Sequence, residues 1–344
     1  MKNAGGKIYM PSGINQIGKW DITFGYQAYM TKADTLGIVG TAVIPENTPV
    51  YLNNGWSIIP YLRNTSLSIV TALASITDAG RLVIVKRADG KIYMPGGINQ
   101  IGNQIPGEGY QAYLNAKDTL IYPANSAGRS SNTNEVQDFD AIKLKPDYEF
   151  TGNNSSLILN IDAADNTEIA VFNAENKIVG AGRVVGGRTV IAIWGDDEST
   201  EMTDGASINS ELKIMNYDVN SGKYSEVELN NLTDVITGTK YNKISYNKDA
   251  VLIGKATQND LKLSVNPNPF TNTTEVIYEL SDNCEISLSL YNLSGMKVLD
   301  LANGTQTKGI HKLTINAENL SSGSYNLIMR SCGKSITEKV VVVK

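Results

Sequence analysis

The densest chemistry in the sequence lies in one loop. Asp196, Asp197, Glu198, Glu201 and Asp204 place five carboxylates within nine residues. Oxygen ligands at that density could hold calcium. The stretch lacks the alternating ligands and central glycine of an EF-hand loop, and turn capping by Asp beside solvated acids explains it as well. Trp194, just upstream, could stack on a sugar ring; it also ends an apolar strand, where it would anchor a core. Cys284 and Cys332 are the only thiols and could pair in an oxidising exterior. Strand parity opposes that pairing. If Leu288 and Leu290 point inward, so does Cys284, whereas Leu327 and Met329 inward put Cys332 outward, so a bulge would be needed.

Composition removes several function classes. A single histidine, His311, in 344 residues leaves no room for most zinc-hydrolase ligand sets or for a triad elsewhere in the chain. His311 itself reads as a packing or surface residue. Two cysteines exclude thiolate metal clusters. A net charge of −5, from 30 basic and 35 acidic residues, offers no positive field for nucleic acid. No apolar run approaches a membrane span. A hydrolase built on paired carboxylates within 138–254 would need two of them on one concave face. The residue types favour a non-catalytic chain that needs no cofactor, calcium aside. Tyr outnumbers Phe by 17 to 5, which suits sheet surfaces and wet interfaces.

The elements that must carry these groups begin with a repeat. Residues 6–18 (Gly-Lys-Ile-Tyr-Met-Pro-Ser-Gly-Ile-Asn-Gln-Ile-Gly) recur at 90–102 with one change, Ser12 to Gly96. Gly25-Tyr26-Gln27-Ala28-Tyr29 and Asp34-Thr35-Leu36 recur at the same offset of 84, as 109–113 and 118–120. The second copy has a leading half from Gly55 to Lys86 that the first lacks. Such a unit buries its apolar face only at full length, so residues 1–49 read as a truncated module, 50–125 as a full one, and the sequence as the C-terminal part of a longer protein. The module is expected to be α+β. Strands are expected near 56–62, 81–86, 91–94 and 109–114. A helix is expected over 66–76, capped by Ser66 or Ser68 with Ile69, Leu73 and Ile76 on one face. Asp89-Gly90 reads as a hairpin turn. Residues 126–137 read as a linker. Short strands between Asn/Asp/Gly turns make 138–254 a β-sandwich.

Residues 255–260 read as a second, flexible linker, and 261–344 form a last unit. Two prolines spaced by one residue, Pro267 and Pro269, force an extended entry. Seven short alternating strands then indicate a small Ig-like sandwich. The fold class is therefore mainly β: two β-sandwich domains, the last Ig-like, preceded by small α+β repeat modules.

Specific blocks mark this last unit: Asn266-Pro267-Asn268-Pro269-Phe270, Tyr291-Asn292-Leu293-Ser294-Gly295-Met296-Lys297-Val298, Gly309-Ile310-His311-Lys312-Leu313, Leu320-Ser321-Ser322-Gly323-Ser324-Tyr325 and the terminal 339–344. Together they resemble the type A C-terminal sorting domain of the Bacteroidetes type IX secretion system. Pro267, Pro269, Tyr291, Gly295, Gly309, Gly323 and Tyr325 are the positions that carry the resemblance. It implies a secreted or cell-surface protein whose partners are the type IX machinery and a sortase, with the domain cleaved in the 255–260 stretch. The family also uses a signal peptide, which the residues from Met1 do not resemble. Asp34-Thr35-Leu36 and Asp118-Thr119-Leu120 resemble a Bacteroidetes O-glycosylation acceptor; strand-edge turns explain them equally. The expected function is a non-catalytic region in which spacer or adhesion modules precede the sorting unit. The alternative is a carbohydrate-binding accessory region, with surface polysaccharide as partner, of a hydrolase whose catalytic domain lies upstream.

Overall fold

β-branched and aromatic residues in alternating runs, cut by Gly, Asn and Asp, produce a chain with 50% of its residues in strands and 4% in helices. The computed structural model describes all residues except 4, 31, 33–34, 36, 38–39, 126–135, 148–150, 198–199, 220–221, 259–260, 281–282 and 332–333. Two compact units emerge. One comprises Met1–Asn220 with Asn231–Lys255, the other Ser221–Asn230 with Ala256–Lys344. Among the described residues, no helix is long and apolar enough to cross a membrane.

The first unit is built around a five-stranded antiparallel sheet. Its order is Ile98–Asn99, Ile92–Met94, Leu82–Lys86, Gly109–Leu114, Gly55–Pro60. One face is covered by the 66–77 segment. The expected single helix is instead two one-turn helices, Ile69–Ala72 and Ala74–Thr77, with Leu73 between them at φ −106°. Ser68 takes the N-cap position without a side-chain hydrogen bond. A β-branched Ile-Val-Thr start with no cap has little helical stability of its own. Packing fixes it: Ile69, Leu73 and Ile76 are buried with Ile59, Val85, Tyr110 and Leu114 in one cluster.

The opposite face of the same sheet packs on the middle of the chain. Ile84, Ile92 and Ile98 share a core with Phe139, Ile158, Val190 and Val251. Two sets of antiparallel strands supply that middle. Asn154–Ile161 pairs with Arg188–Trp194 from Asn154↔Trp194 to Asn160↔Arg188, and Glu168–Phe172 lies between Ile178–Arg183 and Lys213–Asp218. The repeat module and the middle strands are thus one body with a shared core. The Val251–Gln258 strand runs into the segment expected to be a flexible linker; residues 259–260 lie outside the described residues, as do most of the expected linker at 126–137.

Close packing at this junction falls on Gly90. It sits in the Asp89-Gly90 turn at φ +83°, and a Cβ there would lie 2.5 Å from Ala192 Cβ and 3.2 Å from Trp194 Cζ2. Gly90→Ala is expected to lower stability by about 1–3 kcal/mol in urea denaturation. Gly96→Ala, at φ +81° in open space, should cost less, about 1 kcal/mol, because it meets only the backbone penalty.

Lys86 is the charge trapped by this arrangement. It is buried, with Nζ 3.3 Å from Asn154 O, 3.4 Å from Asn154 Oδ1 and 5.1 Å from the Trp56 ring centre. Loss of hydration pushes its pKa down to about 8, against the opposing pull of Asp249 and Asp234. Because the folded value lies below the unfolded 10.5, the unfolded chain binds more proton between those limits, so this group makes stability rise with pH from about 8 to 10.5. Tyr110, Tyr122 and Tyr246 are shifted up by burial; they act oppositely, lowering stability as pH climbs past the ordinary tyrosine value of 10.0. Urea titrations should show stability climbing between pH 8 and 10, at up to about 1.4 kcal/mol per pH unit. Lys86→Met, which conserves volume, should remove the climb.

Candidate functional site

The second unit is a two-sheet sandwich. Lys262–Asn266, Thr273–Leu280 and Gly309–Asn316 form one sheet in that order, and Lys297–Gln306, Cys284–Asn292, Gly323–Ser331 and Lys334–Val342 form the other. Period-two alternation turns Thr274, Val276, Tyr278 and Leu280 inward along one strand. They meet Ile286, Leu288, Leu290, Leu327 and Met329 from the facing sheet.

The sequence blocks converge on one end of this sandwich. Both prolines follow cis peptide bonds, Asn266–Pro267 and Asn268–Pro269. Between them Asn268 reaches the last strand: its Nδ2 donates to Lys339 O at 2.6 Å, and its Oδ1 accepts from Val341 N at 2.9 Å. Phe270, buried in the core, continues the link. Its amide donates to Val341 O at 3.0 Å, and its carbonyl accepts from Val343 N at 2.9 Å, giving a parallel bridge to Val342. Thr274 Oγ1 donates to Pro267 O at 2.6 Å. The entrance of the unit is therefore fastened to its final strand. Lys344 adds bonds of 3.0 Å from its amide to Ser322 Oγ and from Nζ to Glu318 O.

The other blocks join the same end through strand pairing. Tyr325 lies beside Asn292 on one side and Val340 on the other, and its hydroxyl donates to Ser321 O at 2.8 Å. Tyr291 pairs with Asn326 and Lys297. Asn292 closes the hairpin: its Oδ1 accepts from the amides of Ser294 and Met296, both at 3.0 Å. Gly295 takes φ +79°, a conformation that favours glycine. Leu293 and Met296 project from this tip into solvent. Gly323 opens the Gly323–Ser331 strand opposite Val342.

Gly309 is the exception. It pairs with Leu280 at the far end of the other sheet, so the structure does not bring it to the cluster. His311 stacks on Tyr278 with ring centres 5.1 Å apart, and its Nε2 lies 2.7 Å from Thr307 O. That arrangement is structural. The part played by Asn268 was not foreseen from the sequence; a hydrogen-bonding side chain between two prolines was the available signal.

The remaining candidates sit elsewhere. Trp194 is 2% exposed. That corrects the sugar-stacking reading: neither ring face is free, because the side chain fills the core at the end of its apolar strand. In the acidic loop, Asp196 Oδ1 accepts from Asp204 N at 2.9 Å, Asp204 Oδ1 accepts from Asp197 N at 2.8 Å, and Asp204 Oδ2 accepts from Thr200 Oγ1 at 3.1 Å. These oxygens hold the loop's own backbone amides and the Thr200 hydroxyl, the pattern of turn capping. Glu201 is exposed, and Glu198 lies outside the described residues. Among the described residues, no three acidic, His or Cys groups converge as metal ligands. Cys284 is buried and disulfide-bonded; Cys332, the only other cysteine, lies outside the described residues. Of the two Asp-Thr-Leu triplets, Asp118–Leu120 is a strand paired with Val50–Leu52, while Asp34 and Leu36 lie outside the described residues.

The assembled end presents a rim of turns, the two prolines and the exposed side chains of Leu293 and Met296. Asn268→Ala removes both side-chain bonds to the final strand. It is expected to cost about 1–2 kcal/mol and to speed amide exchange at Val341, measured by hydrogen–deuterium exchange.

Known proteins place this unit. Residues 264–343 match the secretion system C-terminal sorting domain family. No curated protein matches the chain. Among solved structures, the crystal structure of dimeric latent PorU from Porphyromonas gingivalis is similar at 9% identity and a TM-score of 0.21, over 77% of this chain. This chain spans 30% of that one. The second unit is a type IX secretion C-terminal sorting domain, and the chain that carries it is a secreted, surface-attached protein.

Proposed function

We propose that the chain is a non-catalytic, surface-displayed region in which the first unit serves as a spacer or adhesion body and the second as its export address. The observation that carries the reading is the convergence of Pro267, Asn268, Pro269, Gly295, Gly323 and Tyr325 on one end of a folded sandwich. A secretion machine reading a folded substrate needs a surface that exists only after folding, and this end supplies one. Composition supports the absence of catalysis: the sole histidine is engaged by Thr307 and Tyr278. A sortase that removes the unit after export completes the route.

The test is a reporter placed between a signal peptide and residues 261–344, expressed in a host with a working type IX pathway. The reporter is expected outside the cell, with the C-terminal unit missing from its mature form. Periplasmic retention overturns the transport reading. An exterior reporter that keeps residues 261–344 overturns the removal step.

A further inference from the structure

The ends of two strands bring an amine and a side-chain amide together inside the first unit. Lys86 closes the Leu82–Lys86 strand of the repeat module, and Asn154 opens the Asn154–Ile161 strand of the middle. Lys86 is 1% exposed and Asn154 6%. Lys86 Nζ lies 3.4 Å from Asn154 Oδ1 and 3.3 Å from its backbone oxygen. Trp56 sits beside the amine at 5.1 Å and is braced edge-on by Tyr113. Both rings pack on the core that holds Ile84, Ile158 and Val251. Two partners fixed on strands, in near-contact and shielded from water, meet the conditions under which an amine can attack an amide carbon.

Two carboxylates act on this amine. Asp249 exerts the larger electrostatic pull on Lys86 and Asp234 the smaller. Asp234 is committed to its own turn: Oδ1 accepts from Ile236 N and Oδ2 from Thr237 Oγ1, both at 3.0 Å. Asp249 is tied to the strand that carries the amide, since its backbone N–H donates to Asn154 O at 3.1 Å. Burial lowers the Lys86 pKa to about 8, so about a tenth of the amine is the neutral nucleophile at pH 7.

We propose that Lys86 and Asn154 are the two ends of an intramolecular isopeptide cross-link that the folded chain makes on itself. Lys86 Nζ attacks Asn154 Cγ; the Nζ–Cγ bond forms and the Cγ–Nδ2 bond breaks. The Asp249 carboxyl relays one Nζ proton to Nδ2, which leaves as ammonia, and the carboxyl is restored. No oxidant or co-reactant enters the balance. An ammonium held in a core by neutral amide oxygens is costly, and the product replaces it with an uncharged amide. Linked, Lys86 no longer titrates, so the rise in stability between pH 8 and 10.5 belongs to the unlinked chain. The bond ties the repeat module to the middle strands, which then stay joined even if the chain is cut between residues 87 and 153.

The experiment is mass spectrometry of the folded 344-residue chain. The intact mass is expected to fall short of the sequence mass by one ammonia. Trypsin should release peptide 82–87, uncut at Lys86, joined to peptide 144–177. Lys86→Met and Asn154→Ala should each remove the joined peptide. Asp249→Asn keeps a residue type that accepts the φ of +63° at this position, and should slow linkage by about tenfold or more in a time course on freshly made protein. A chain of full mass that unfolds cooperatively in urea overturns the proposal. So does an ammonia loss with no joined peptide, which ring closure at Asn54-Gly55 or Asn303-Gly304 would produce. An Asp249→Asn chain that links as fast as the parent overturns the relay.

Discussion

A β-sheet with an apolar face is stable only when something apolar covers that face. Each part of the first unit is shaped by how that demand is met. The five-stranded sheet is apolar on both sides, and each side has its own cover. Val85 turns toward the short helices and Ile84 toward the middle strands. A strand covered on both faces has no wet side left, which is why Lys86, the next residue, is forced into the interior beside Trp56 and Asn154. The fold tolerates the depressed basicity of that lysine as a consequence of fusing two layers into one body.

The sorting unit solves the same problem in a smaller space. Two sheets cover one another, and the open ends are what remain to be closed. Asn268, Phe270 and Lys344 close one of them with bonds to backbone atoms of distant segments. Backbone partners make the closure depend on the path of the chain, so the surface that results belongs to the folded state alone. Under the proposed function, an address with that property distinguishes a completed sandwich from an unfolded tail of the same sequence.

Local features were legible in the residues. Gly109–Leu114 is a strand with the limits its pattern suggests. The Asp89-Gly90 turn and the seven strands of the last unit follow from alternation and turn chemistry, both of which act between near neighbours. The blocks around Pro267, Gly295 and Tyr325 were legible for a different reason: each serves a tight turn or closure that few residue types can make. The helix over 66–76 was harder to read, because its hydrophobic period was present while its capping and propensity were weak. Packing then decided where it broke.

The sequence by itself determined the strand periods, the turns, the repeat offset and the sorting blocks, since all of these depend on residues close together in the chain. Tertiary structure decided the rest. It buried Trp194, turned the carboxylates of Asp196 and Asp204 onto their own loop, and joined the repeat and the middle strands in one core. It also left Tyr9, Ile14 and Met30 exposed where their repeat counterparts Tyr93, Ile98 and Leu114 are buried. Burial is a property of what lies across from a residue, and contacts across a fold are fixed by chain path and packing, to which local pattern is blind.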